Sequence, residues 1–382
     1  MPISPFLLER YFALYEFKVK YLLSPSDCES LSMAELLTMA APASLDLWQE
    51  LRLSYTESQG HPLLRSEVAR LYQHIPAENV VIAIPEEAIF IAMQTLLRPG
   101  DQVVAISPAY QSLHEIARSI GCELTNWRLE PGSDTNWQLD LDQLENSLTA
   151  HTRMLVINFP HNPTGYTLSR SELDSVIRLA RKHGLYLFSD EMYRLLEYEP
   201  AMRLPAVCDL YEKGISLSGL SKSFALPGVR IGWLATQESA LVQAWLTYKD
   251  YTTICNSAPG EILGIIALQN KERIVRRNLA IIRENIASAE AFFGRHSQYF
   301  AWFGPKAGSV AFPTWLGDGP VEQFCQDVLE KQGVMIVPGN LFDFPGNHFR
   351  VGLGRRNLPE ALAQVEEYLK EWQPAKYNLP DK

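Results

Sequence analysis

Between Val80 and Trp233 short apolar runs alternate with stretches of helical periodicity, and this rhythm constrains the fold more than any other feature of the chain. Val80–Ile84, Gln102–Ser107, Arg153–Phe159, Leu185–Asp190, Gly214–Leu217 and Ile231–Ala235 read as strands buried on both faces. Between them Glu86–Leu97, Gln111–Ile120 and Ser169–His183 read as helices, the first stopped by Pro99-Gly100 and the last by Gly184. Strands joined by helices in this way predict an α/β fold with a mostly parallel sheet and right-handed crossovers, its ligands bound beyond the carboxyl ends of the strands.

After this region Glu272–Phe293 reads as one long helix. Val310–Pro313, Met335–Val337 and Phe349–Leu353 then suggest a second, smaller sheet, covered by helices at Val321–Gln332 and Leu358–Trp372. A chain of 382 residues exceeds what one core usually organises. We therefore expect a large domain over residues 45–279 and a smaller α+β domain from 1–44 and 280–382. The first forty residues fit no strand–helix rhythm and are expected to fold back onto the smaller domain. No repeat or low-complexity linker separates the two, so they should pack closely.

Composition narrows the partners. With 47% apolar and 20% charged residues the chain is too apolar for disorder. A formal charge of −10 argues against nucleic acid or an anionic membrane and for a small-molecule substrate. Glu9, Arg10, Glu16, Lys18 and Lys20 interrupt the apolar residues near the N-terminus, so neither a signal peptide nor a spanning helix is expected, which suggests a cytoplasmic protein. Five scattered cysteines, none in a CxxC pair, predict buried free thiols rather than disulfides or a metal site. No GxGxxG follows a strand, which removes a dinucleotide-binding dehydrogenase from consideration.

Six strings carry chemistry, most of them at the end of an expected strand: Tyr55-Thr-Glu-Ser-Gln-Gly60, Ser107-Pro-Ala-Tyr110, Asn158-Phe-Pro-His-Asn162-Pro-Thr-Gly165, Ser189-Asp190-Glu-Met-Tyr193, Ser218-Gly-Leu-Ser-Lys222 running on to Arg230-Ile-Gly-Trp233, and Phe349-Arg350-Val-Gly. Taken singly each has a plainer reading: Lys222 as a solvated loop lysine, Asp190 as a helix cap, Tyr110 as core packing, Asn162 as a turn residue. In this order and spacing, from about Tyr55 to Arg350, the chain resembles the class I and II aminotransferases of pyridoxal-phosphate fold type I.

The resemblance implies a pyridoxal 5'-phosphate cofactor held by Lys222 as an aldimine, and catalytic roles for Lys222, Asp190 and Tyr193. A Schiff-base lysine must be neutral to act, which asks for a desolvated site or nearby positive charge. Asp190 would keep the pyridine nitrogen protonated, Asn162 and Tyr193 would bond the phenolate oxygen, and Tyr110 would stack on the ring. Arg230, Ser218, the Glu86 region and Tyr55 from a neighbouring subunit would hold the phosphate, implying a homodimer with shared sites. Arg350, assisted by Asn162, would bind the α-carboxylate through its planar fork. Transfer of an amino group between an amino acid and a 2-oxo acid follows.

Two departures from the family pattern concern the phosphate. Pro85, Glu86 and Glu87 stand where a glycine turn usually exposes N–H groups, and Gly219 stands where a hydroxyl residue is common. The strings around Pro108–His114 and Asn158–Thr167 also resemble a capreomycidine-synthase-like branch. A lyase or cyclase reaction (elimination, replacement, or cyclisation of an arginine derivative) is therefore a rival on the same fold. A non-catalytic sensing or interaction module is the rival from another class.

Overall fold

Residues 3–372 are described by a computed structural model of the chain; the first two and last ten residues of the expected smaller domain lie outside them. The apolar runs form strands because their side chains are covered on both faces. In β1 (Val80–Ala83) every residue is buried: Val80 and Ile82 pack to one side with Trp233 and Ala235, Val81 and Ala83 to the other with Leu234. Strands β2 (Gln102–Ser107), β3 (Glu123–Pro131), β4 (Trp137–Leu139), β5 (Thr152–Asn158), β6 (Tyr186–Asp190), β7 (Gly214–Gly219) and β8 (Gly232–Thr236) complete an eight-stranded sheet of order β1-β8-β7-β6-β5-β2-β3-β4. Neighbours from β7 through β3 run parallel, while β8 runs antiparallel to both β1 and β7, and β4 antiparallel to β3.

The eight strands exceed the six expected. β3 escaped notice because only Trp127 and Leu129 are buried among its polar and exposed residues, so no apolar run marks it. β4 is a three-residue edge.

The helices that matter for the site are α1 (Leu7–Tyr15), α2 (Pro85–Leu96), α3 (Ser112–Ile120), α4 (Arg170–His183), α5 (Lys271–Arg295), α6 (Val321–Gln332) and α7 (Leu358–Glu371). Ser169 caps α4 reciprocally with Glu172, and Gly184, at φ 67°, ends it in the left-handed conformation. A second apolar cluster joins α5, α6 and α7 to a three-stranded sheet of order β9-β11-β10, with β9 Val310–Ala311, β10 Val337–Pro338 and β11 Phe349–Gly352. No described helix is long and apolar enough to cross a membrane.

The N-terminal forty residues depart in part from expectation. Tyr21–Leu22 does pair with Val334–Met335, beside the smaller sheet. Helix α1, however, bridges to the larger one: Leu7 donates its backbone N–H to Gln111 Oε1 at 2.9 Å, while the Tyr11 hydroxyl donates to Ile336 O at 2.9 Å. Leu8 is buried in the cluster of the large sheet.

Candidate active site

The carboxyl ends of β2, β5, β6 and β7 open on one side of the sheet, and the loops after them carry the sequence motifs. Asn158 and Asp190 sit side by side at the ends of β5 and β6. The Asn158 side chain donates to Asp190 O at 3.0 Å and accepts the Asn162 backbone N–H at 2.9 Å, which fixes the loop that presents Asn162. His161 braces the same loop, its ring nitrogens on Thr164 Oγ1 and Pro108 O, both at 2.8 Å. Burial lowers its pKa to about 3, so it is a neutral structural strut.

Asp190 is buried, accepts the Met192 N–H at Oδ1 (3.0 Å), and has no ion-pair partner among the described residues. Burial pushes its pKa up to about 7; the Met192 N–H and the Lys222 charge pull the other way. A buried carboxylate in want of a cation is what a pyridinium nitrogen requires.

Lys222 lies in the loop between β7 and β8, and its Nζ donates to Ser26 Oγ at 2.8 Å. Burial lowers its pKa below the ordinary lysine value, helped by the Arg350 charge and opposed by Asp27, Glu9 and Asp190. This direction favours the neutral amine, the form that a nucleophilic lysine needs. The Tyr193 hydroxyl donates to Ser26 O at 3.2 Å.

Arg350 is 1% exposed on β11. Its Nε donates to Ser24 O at 3.0 Å and its Nη1 to Asn162 Oδ1 at 3.2 Å, so the structure brings Arg350 and Asn162 together. The guanidinium lies over the rings of Phe342 (5.1 Å) and Phe12 (5.8 Å), and no carboxylate pairs with it among the described residues. It is a buried cation awaiting an anion.

The phosphate side is less complete. Ser218 Oγ makes a long bond to Glu191 O, 3.4 Å. Gly219 is tightly placed, since a Cβ would meet Gly232 Cα at 3.0 Å and Ile231 O at 3.1 Å, so a hydroxyl residue there would need the adjoining strand to give by a few tenths of an ångström. Of the two acids at the start of α2, Glu87 turns away and pairs with the buried Lys249 at 3.7 Å. Glu86 stays near Tyr110, with its pKa raised by burial. Arg230, at φ 58°, is exposed and donates to its own Pro227 O at 2.9 Å, and Tyr55 is 87% exposed.

Sequence reading missed two contributors. Ser24 and Ser26 lie on a segment that threads past Lys222 and Arg350; a signal existed in Gly352 and Gly354, where a Cβ would meet Pro25 O at 2.0 Å and Asp27 O at 2.4 Å. Glu9 on α1 is the other: its Oε1 accepts the Tyr110 hydroxyl at 2.7 Å, and no local pattern announced it. Lys222, Asp190, Asn162, Tyr193 and the Tyr110 ring together fit pyridoxal phosphate in the chemistry of their donors, with an amine, a cationless carboxylate, two polar groups and an aromatic face.

Comparison with known proteins agrees. The model of the aminotransferase class I and II family matches residues 20–365. Similar proteins include capreomycidine synthase of Streptomyces vinaceus, 29% identical over 96% of this chain and 93% of that protein, and aspartate aminotransferase of Pyrococcus horikoshii, 29% identical over 83% of each. A crystal structure of a pyridoxal-phosphate-dependent aminotransferase from Streptococcus suis superposes with a TM-score of 0.89 at 29% identity, covering 97% of this chain and 98% of the other. With this fold and a family match over nearly its whole length, the chain belongs to the class I and II aminotransferases, pyridoxal-phosphate enzymes that move an amino group between an amino acid and a 2-oxo acid.

Proposed function

We propose that Lys222 is the residue that binds pyridoxal phosphate covalently and then carries the α-proton in transamination. The observation that supports this best is its desolvated amine on Ser26 Oγ, in the same pocket as the cationless carboxylate of Asp190. The cofactor supplies an electron sink for negative charge at the substrate α-carbon. Arg350 takes the α-carboxylate as a two-pronged partner, with Asn162 steadying the guanidinium. Lys222 would take the proton from the substrate α-carbon and return it two bonds away, on the far side of the amino nitrogen. With the cofactor bound, Asp190 would hold a proton at the ring nitrogen, Tyr193 and Asn162 would donate to the phenolate oxygen, and the Tyr110 ring would exclude water from one face. Ser218, Arg230, the Glu86 backbone N–H and Tyr55 of a second copy would hold the phosphate.

In this reading residues 45–279 form the cofactor-binding domain and 1–44 with 280–382 the smaller domain, the working unit is a homodimer, and the setting is cytoplasmic. Borohydride treatment of the yellow holoenzyme followed by peptide mass spectrometry should find the reduced cofactor on Lys222, and Lys222→Ala should carry none. An adduct on another lysine, or colourless protein that takes up no cofactor, removes this reading and favours a non-catalytic module.

The similarity to capreomycidine synthase over 96% of the chain favours one second reading, a cyclase or lyase reaction with the same residues. Product formation that needs no 2-oxo acid acceptor would select it.

A further inference from the structure

Helix α1 lays one face across the pocket that holds Lys222 and Arg350. Glu9, Phe12 and Glu16 are spaced i, i+3 and i+7, and Glu16, which caps the helix, still has helical dihedrals, so all three lie on that face. Phe12 meets the Arg350 guanidinium at 5.8 Å and Glu9 meets the Tyr110 hydroxyl at 2.7 Å. Glu9 is within electrostatic reach of both Lys222 and Arg350, and Glu16 of Lys222 and Arg355. Neither acid has an ion-pair partner among the described residues.

The cations that could have neutralised them are committed elsewhere. Arg355 is paired with Asp27 at 2.8 Å, and Arg230 is turned onto Pro227 O. Arg350 is nearly fully buried and has no ion-paired carboxylate among the described residues. Among the described residues Arg350 thus has no ion-paired carboxylate and Glu9 and Glu16 have no ion-paired cation, although Glu9 lies within electrostatic reach of Arg350.

We infer that Glu9, supported by Glu16, selects amino-acid substrates with a positively charged side chain, an ω-guanidinium or ω-ammonium group, over neutral or acidic ones. The inference rests on the reading of this pocket as the substrate site, with Arg350 on the α-carboxylate. Glu9 then accepts charge-assisted hydrogen bonds from the substrate head, steadied by the Tyr110 hydroxyl, while Phe12, one helical turn from Glu9 and against the Arg350 guanidinium, packs on the apolar stem.

Two isosteric pairs test it on the holoenzyme. L-Arginine should exceed L-citrulline in kcat/KM by at least about tenfold, the range of one charge-assisted hydrogen bond. Glu9→Gln keeps an acceptor for the Tyr110 hydroxyl but removes the charge, so this ratio should fall toward unity, and Glu16→Gln should lower it by a smaller factor. A mere latch role for Glu9 would leave the ratio alone. Calorimetry with 5-guanidinopentanoate and 5-ureidopentanoate, which lack the reacting amine, should give the same preference in the wild type and its loss in Glu9→Gln. Equal affinity for that pair, or a preference that survives Glu9→Gln, overturns the inference while leaving the aminotransferase reading intact. If no donor yields a 2-oxo acid yet the binding preference depends on Glu9, the inference stands and transamination is what fails.

Discussion

Asp190 shows how a single residue can be set against the stability of its own fold. Its folded pKa of about 7 lies above the ordinary value of 3.8, so the native state holds a proton that the unfolded chain releases between these pH values. Stability therefore declines as pH rises through that window, by up to about 4 kcal/mol for a shift of this size. A cation bound against the carboxylate would restore what is lost. We expect Asp190→Asn, in cofactor-free protein, to raise Tm clearly at pH 8 and little at pH 4.5. A gain of equal size at both values would show that the carboxylate is not ionising in a dry site. The same variant should lose activity by several orders of magnitude, since an amide cannot hold a proton on the ring nitrogen. At Lys222 burial has the opposite sense, lowering the pKa of the amine, so the two residues are prepared for opposite tasks by one desolvated pocket.

At the scale of elements, the decisive piece is the stretch from α1 to Cys28, which touches both sheets and reaches Lys222, Arg350 and Tyr110. It is held by close backbone approach. Gly352→Ala would drive a methyl group into Pro25 O, 2.0 Å from the Cβ position, and backbone cannot yield as a flexible side chain can. Overpacking of this kind costs about 1–3 kcal/mol. We expect Gly352→Ala to lower Tm and to weaken substrate binding, because Ser24 and Ser26 shift from Arg350 and Lys222. An unchanged KM with a lowered Tm would confine the effect to stability. Legibility divides along the same line. Strand ends such as Asn158, Asp190 and Lys222 were readable because buried parallel strands leave an apolar signature and the chemistry follows directly after it. Ser26 and Glu9 were not, because their roles depend on contacts with Lys222, 196 positions away from Ser26, and with Tyr110, 101 positions away from Glu9. β3 was missed for a physical reason of the same sort: near the sheet edge, alternate burial replaces the apolar run.

At the scale of the whole molecule, the side chains that this chain leaves bare carry the remaining argument. Leu53 and Tyr55 are 86% and 87% exposed on one segment, and Tyr251 is 89% exposed on another. The latter is tied to the first turn of α2, where the neighbouring Thr253 Oγ1 donates to Glu87 Oε1 at 2.7 Å. Large apolar groups left this exposed are what a second copy would cover. If the partner's Tyr55 completes the phosphate site, then each site needs Lys222 from one protomer and Tyr55 from the other. Lys222→Ala and Tyr55→Ala homodimers should each be impaired, the former without detectable activity. In a heterodimer of the two, one site carries both substitutions and its symmetry mate carries neither. Unfolding and refolding an equimolar mixture should therefore recover about a quarter of wild-type activity, half the dimers with one of two sites intact. Activity no greater than the mean of the two separate variants would place Tyr55 outside the partner's site.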